Sequence, residues 1–391
     1  MIVAVGANLR IGLVSIAPLL EDIRSSLAMS RPVAGLVIMI PLLALAAFSV
    51  VGGRWAAGFG PRPVLLSALT VLALALVARA FAPTAALLLA ATLPVGVALA
   101  LAGASLPVLI KDRFPASAGA VTGAYVTALD IGAGVAALTA VPLAHALGGW
   151  RAALALTAVP AVTALPLIAR LEKGTSARAR REAKPLTASP ISGRSLGLLA
   201  GIFAAQSFCF VGVITWVAAA YQASGWSPAA AGVASGFVLL GAVPTALAVP
   251  LLSDRVDRRR LVVPVAAATA IGVAGMAGWP TFAPFLWLTL FAVGTGALFP
   301  LALTLPLDVA PDPRQAGRLA GVALGIGYGV SAFAAVFVGA LHDASGGFTL
   351  PFALLAASAA LAAPLALSLP DRPTRARTQH AAHCESASAP R

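Results

Sequence analysis

Twelve times along this chain, about twenty residues pass with almost nothing polar in them, and most of the breaks between are short. The runs are 2–22, 33–52, 64–82, 85–110, 119–146, 151–170, 196–219, 229–252, 261–279, 284–307, 319–341 and 349–369. Roughly twenty apolar residues is the length that crosses the hydrocarbon core of a bilayer as a helix. Lipid offers the backbone no hydrogen bonds, so each run must satisfy its own peptide groups by coiling. Long apolar runs, unlike short alternating segments, also exclude a porin-like barrel. The charged fraction is 10%, against about 25% in soluble proteins, and the mean hydropathy is +0.96. The sequence predicts an all-α polytopic membrane protein of about twelve transmembrane helices.

The net charge of +13 would suggest nucleic acid in a soluble chain. Here it reads as a topology signal, because basic residues collect in the loops on the cytoplasmic side of a membrane protein. With the N-terminus placed inside, all but five of the 26 Lys and Arg fall in cytoplasmic segments. The five are Arg10, inside a span, and Arg24, Arg31, Arg79 and Arg151 toward the other side. Both termini are therefore expected in the cytoplasm of a bacterial-type inner membrane, with the lipid bilayer as a partner and no nucleic acid. No cleavable leader is expected. Cys209 and Cys384 give no disulfide framework, and His380 and His383 sit in a polar tail, so no metal or other cofactor is expected.

The halves repeat. Ser30-x-x-x-Ala34-Gly35 recurs as Ser227-x-x-x-Ala231-Gly232, and the loop from Gly53 to Arg62 aligns with Pro250 to Arg259, both 197 residues on. Gly148-Gly149-Trp150 aligns with Gly346-Gly347-Phe348 at 198. Residues 171–195 are the one long polar connector. The expected organisation is a six-helix half at 1–170, a cytoplasmic linker at 171–195, a second half at 196–369 and a disordered tail at 370–391. Two parallel six-span repeats are the architecture of major facilitator transporters.

Few polar residues lie deep in the spans. Arg10, Tyr125, Asp130, Gln206 and Tyr328 fall in the central third of theirs, and Asn8 lies about one turn off. A central Arg costs about 2.5–3.5 kcal/mol on insertion scales, so it needs a partner or a watery cavity. Arg10 is read either as a substrate contact or as a structural ion pair. Asp130 is the only acid well inside a span, and is read either as a proton carrier or as the counter-charge of Arg10. Tyr125 and Tyr328 could offer hydroxyls to a solute or pack as core. Gln206 and Ser207 could bind solute or link helices. Trp216 is read as an interfacial anchor. The glycines of Gly325-Ile-Gly327-Tyr328-Gly329 suggest close helix packing, and no phosphate-binding loop for ATP is present.

Pro250-Leu-Leu-Ser-Asp254-Arg255-Val-Asp257-Arg258-Arg259-Arg260 resembles the major facilitator loop motif Gly-x-x-x-Asp-Arg-x-Gly-Arg-Arg. Asp254 and Arg255 match, while Pro250 and Asp257 replace two glycines. The first-half copy keeps its glycines and Arg62 but has Ala57 in place of the Asp. This resemblance implies a cytoplasmic charge clamp that gates the protein, with Asp254, Arg255 and Arg62 as its residues. Asn8-Leu9-Arg10 with Pro18-Leu19-Leu20, Leu106-Pro107 through Phe114-Pro115, Thr122-Gly123-Ala124-Tyr125 and Gly148-Gly149-Trp150-Arg151 resemble the cyanate-permease and nitroimidazole-transporter branch. The second half adds Gln206-Ser207, Trp216, Gly327-Tyr328 and His342-Asp343.

That resemblance implies a monomeric secondary transporter of a small polar or anionic solute, working by alternating access. A cyanate-like anion, a nitro-heterocycle or a small organic anion would bind at Arg10, Asn8, Tyr125, Gln206 and Tyr328. Asp130 would couple protons. The alternative is a membrane sensor or scaffold of the same fold. No nucleophile or metal cluster supports an enzyme.

Overall fold

The structure is a computed structural model that describes residues 2–114, 118–170, 193–253, 256–310 and 313–370. Every element within them is helical. The first half holds α1 (Ile2–Val14), a 3-10 turn (Ala17–Leu19), α2 (Leu20–Ser26), α3 (Arg31–Phe59), α4 (Pro61–Ala80), α5 (Ala85–Arg113), α6 (Ala118–Ala146), α7 (Trp150–Leu156) and α8 (Ala158–Ala169). The second holds α9 (Gly193–Ala223), α10 (Pro228–Ser253), α11 (Arg258–Gly278), α12 (Pro284–Val309), α13 (Pro313–Ser331), α14 (Ala334–Ser345) and α15 (Thr349–Leu367). Most of the expected linker and all of the tail beyond residue 370 lie outside the described residues, and α9 takes in residues 193–195.

Among the described residues, eleven segments are long and apolar enough to cross a membrane, with α7–α8 and α13–α14 each making one. The twelfth expected span, residues 2–22, is not among them because its helix breaks. Pro18 has no N–H to give and its ring crowds the carbonyl of Val14. Boundaries elsewhere follow local chemistry. Thr84 caps α5 by accepting from Leu87 N at 3.3 Å, and Asp257 caps α11 by accepting from Arg259 N at 3.1 Å. Gly346, at φ 76°, closes α14 in the left-handed conformation that favours glycine.

The repeat is visible in contacts as well as in sequence. Arg62, at the start of α4, donates to the carbonyls of Ile168 (3.4 Å) and Ala169 (2.5 Å) at the end of α8. Its repeat mate Arg259, at the start of α11, donates to Leu369 O beyond α15 at 2.9 Å. Arg62 sets a cation on the orphan carbonyls of a helix C-terminus, and Arg259 sets one on the carbonyl just past the matching helix.

The distribution of buried apolar side chains shows how the halves sit. One cluster crosses both halves, from Ile16, Leu20, Val37 and Val141 to Trp216, Leu239, Ala335 and Phe352. All of it lies toward the end carrying the loops at 27–30, 147–149, 224–227 and 346–348. At the opposite end, where the 171–195 connector joins, the core splits. Leu69, Leu106 and Ile168 belong to a cluster made only by the first half, and Phe203, Leu301 and Ala366 to one made only by the second. Among the described residues, the halves share one core at the first end and keep separate cores at the other.

The seal is made by α6 on α10 and by α3 on α14. Glycines let these helices close. A side-chain carbon on Gly236 would stand 2.1 Å from Leu138 Cγ, and one on Gly35 would stand 2.7 Å from the Ala335 backbone. Trp216, read from sequence as an interfacial anchor, is fully buried in this seal and donates Nε1–H to Ala335 O at 2.8 Å. Charges bridge the same end. Arg31 Nη1 lies 3.3 Å from Asp343 Oδ1 across the halves, and Arg31 Nη2 lies 3.7 Å from Glu21 within its own half. Glu21 is also held by Arg24 at 2.5 Å, and His342 Nδ1 is 3.4 Å from Asp343.

Candidate functional site

Between the halves lies a cavity of about 130 Å³. Its walls are mainly apolar: Leu13, Val14, Ile38, Leu42, Phe210 and Phe299 among others. The polar exceptions come from few places. Arg10 on α1 and Asp130 on α6 line it from the first half, and Gln206, Ser207, Thr215, Thr295 and Tyr328 from the second.

Arg10 and Asp130 pair. Arg10 Nη1 donates to Asp130 Oδ1 across 120 residues of sequence, and the side chains keep 30% and 24% exposure. The pair neutralises both deep charges of the first half at once. A guanidinium carries five N–H donors in a planar fork, so one bond to Asp130 leaves donors at the cavity wall. Tyr125 does not line the cavity. Its ring packs on α1 at Gly6, where an added carbon would stand 2.8 Å from Cδ2, and it lies within electrostatic reach of Arg10, Asp130 and Tyr328.

Facing the ion pair is a small amide and hydroxyl network. Gln206 Nε2 donates to Thr295 Oγ1 at 3.4 Å, and Ser207 Oγ donates to Gln206 Oε1 at 3.0 Å. Tyr328 stands edge-on to Phe203, with ring centroids 5.2 Å apart, and Phe203 in turn tilts against Phe299 at 5.8 Å. Gly327 makes this cluster possible, because a side-chain carbon there would meet the Phe203 ring at 2.2 Å.

Arg10, Asp130, Gln206 and Tyr328, chosen from sequence by depth alone, thus share one cavity. Arg62 lies apart from it, on the end of α8. The side chain of Asn8, and residues Asp254 and Arg255, lie outside the described residues. Sequence reasoning missed Thr215 and Thr295. A Thr in a span gives little signal, since its hydroxyl can return to the carbonyl four residues back, as Thr215 does to Val211 O at 2.6 Å. It also missed Glu21, Arg31 and Asp343, although Arg31 was already conspicuous as a basic residue on the wrong side.

The chain matches the family model described as Major Facilitator Superfamily over residues 2–223 and again over 196–386. It is 31% identical to the 2-nitroimidazole transporter of Escherichia coli (strain K12) over 90% of this chain and 89% of that one. It is 30% identical to the cyanate transport protein CynX of the same organism, covering 90% and 92%. Among solved structures, the inward open conformation of the xylose transporter XylE from E. coli superposes with a TM-score of 0.78 at 15% identity, covering 95% and 96% of the chains. With a cavity between two halves that share a core at one end and this match along its length, the chain belongs to the Major Facilitator Superfamily, as a multi-pass membrane transporter of small solutes and not an enzyme.

Proposed function

We propose that the chain is a monomeric secondary transporter carrying a small polar or anionic solute, of the size of cyanate, a nitro-heterocycle or a small organic anion. The observation that carries this reading is the Arg10–Asp130 pair set in the wall of an otherwise apolar cavity. The relatives named for 2-nitroimidazole and cyanate support the solute class. Apolar walls exclude water from the body of the solute, and the planar fork of Arg10 receives its acceptor edge. Gln206 and Tyr328 face it from the second half; Asn8 is a further first-half contact, and Tyr125, set behind the wall against α1, acts through its closeness to Arg10 and Asp130.

Asp130 is the coupling group. While ionised, it neutralises Arg10. Once protonated, it releases one net positive charge at the wall, and an anion or strongly dipolar solute replaces the lost counter-charge. Proton and anion then move together with no net charge. Rocking of the halves exposes the cavity alternately to each face. The Lys/Arg asymmetry supports both termini, and the 171–195 linker between halves 1–170 and 196–369, on the cytoplasmic side of the inner membrane. The core shared by the two halves then seals the cavity on the outer side. Asp254 and Arg255, from their match to the superfamily loop, act as the inner clamp.

The test is uptake into proteoliposomes of labelled cyanate, 2-nitroimidazole and small carboxylates, with and without a pH gradient. At least one should be accumulated by the gradient. Arg10→Lys keeps the charge but loses the fork and should weaken uptake severely. If Arg10→Ala with Asp130→Asn together restore both folding and transport, the pair is structural only and the reading fails.

A further inference from the structure

Arg79 is a buried cation that the transport scheme leaves unused. It lies on α4, is 0% exposed, and donates from Nη2 to Gly12 O at 2.6 Å. Its Nε and Nη1 have no partner among the described residues. An ion taken from water without a counter-charge is costly, and a helix that only needed capping could use a neutral amide or hydroxyl. The arrangement around Arg79 shows what the charge holds.

Gly12 sits where the first span breaks. Ser15 N closes the last helical turn on Ile11 O at 3.0 Å, and Leu19 N resumes on Ile16 O at 3.1 Å. Arg79 takes the Gly12 carbonyl near this break. Leu76, one turn before Arg79 on α4, lies against Gly12 so closely that an added carbon would stand 2.7 Å from its Cδ2. So a side chain of α4 packs on the back of α1 at this point, beside the carbonyl that Arg79 holds.

Arg10 is two residues before Gly12. Two residues turn a helix by about 200° and advance it by about 3 Å. With Gly12 fixed against α4, Arg10 must face the opposite way, toward α6 and Asp130. A slip of α1 by one residue would swing Arg10 by about 100° and off its partner. The repeat supplies a control. At the 197-residue offset, Ser207, Cys209 and Met276 stand where the first half has Arg10, Gly12 and Arg79. There α9 runs unbroken from Gly193 to Ala223. The second half builds the same fold with neither the cation in the cavity nor the cation behind it.

We propose that Arg79 is the positioning residue for Arg10, holding the broken end of α1 so that the guanidinium meets Asp130 and the solute. The part concerning solute rests on the role proposed for Arg10 above. The positioning itself does not.

Two measurements separate these. In a background with Cys209 and Cys384 changed to Ser, cysteines at positions 10 and 130 are cross-linked by mild oxidation in reconstituted protein. Arg79→Leu should slow cross-linking by roughly fivefold or more, and Arg79→Lys, which keeps a charged donor for the Gly12 carbonyl, should recover most of the rate. Gly12→Ala, which crowds the tip of Leu76 with Arg79 intact, should slow it in the same direction. It stands in should Arg79→Leu fail to insert. Unchanged rates in Arg79→Leu and Gly12→Ala would overturn the proposal. With Arg10 and Asp130 native, uptake of 2-nitroimidazole and cyanate by Arg79→Leu should show a half-saturation raised roughly tenfold at nearly unchanged maximal rate. Added to Arg10→Ala, the same change should cause no further loss of binding. Slowed cross-linking with unchanged half-saturation would uphold the positioning role and sink the solute role of Arg10. An equal further loss on top of Arg10→Ala would show that Arg79 acts elsewhere and refute the proposal.

Discussion

Asp343→Asn should move the protein toward the state open at the end now sealed. Arg31 Nη1 meets Asp343 Oδ1 at 3.3 Å, and their side chains are 24% and 36% exposed. At that exposure solvent screens the pair, and such pairs contribute about 0.2–1 kcal/mol. The contact joins the two halves, so rocking the sealed end open must break it. Arg31 keeps Glu21 at 3.7 Å within its own half, which leaves it a partner after the mutation and holds the effect at the modest end. Loss of about 0.2–1 kcal/mol from one side of a two-state equilibrium multiplies the minor population by about 1.4 to 5. The assay is labelling of a cysteine at Ile38, a cavity residue, by an impermeant maleimide applied from the side of the 224–227 loop. Its rate follows the population open on that side. We expect a rise of about 1.4- to 5-fold, partly reproduced in the unmutated protein by raising the salt, which screens exposed charge. An unchanged rate in Asp343→Asn, together with no response to salt, would refute the claim that charge holds this end shut.

Other outcomes follow from the same contacts. Gly236→Leu drives a side chain into Leu138. Overpacking costs about 1–3 kcal/mol, so it should raise Ile38 labelling by more than Asp343→Asn does, and equal labelling would show that the glycine contact is not part of the seal. Asp130→Asn should abolish accumulation driven by a pH gradient while leaving solute exchange largely intact, and accumulation that survives removes Asp130 as the coupling group. Hydrogen bonds from the Arg259 side chain hold the Asp257 carboxyl below its ordinary range. A lowered folded value stabilises above the unfolded pKa of about 3.9 and is lost only as pH falls through the folded one. Asp257→Asn keeps a good cap but loses the ion pair with Arg259, and should therefore cost a constant increment of about 0.2–1 kcal/mol between pH 5 and 8 in thermal unfolding; a cost that varied across that window would contradict it. Cysteines at Ser176 and Ser386 should label only from the cytoplasm and one at Ser224 only from outside, the reverse pattern refuting the orientation.

Composition alone determined that the chain is a bundle of membrane helices. Solvation by lipid acts on each stretch by itself, so the apolar runs at 33–52 or 284–307 could be recognised without knowing what they touch. The duplication was equally local, and it surfaced again when Arg62 and Arg259 were found on matching helix ends. Arg10 and Asp130 were legible because a charge at that depth is expensive wherever it points. What lies between helices was not legible. Helices apolar on every side carry no periodic stripe to say which face meets which neighbour. The pairing of Arg10 with Asp130, left open between two readings, depends on the rotation of α1 against α6. The burial of Trp216 depends on α9 packing against α14, although its position near a span end suggested the interface. The basic residues on the wrong side became intelligible only in three dimensions. Arg24 and Arg31 are held by Glu21 and Asp343, Arg79 by the broken end of α1, and Arg151 lies 4.3 Å over the ring of Trp150. A charge count along the chain registers such residues as exceptions: Arg24 and Arg151 find these partners within three residues, while those of Arg31 and Arg79 are chosen by the packing of segments distant in sequence. That packing also decides which end of the cavity is closed.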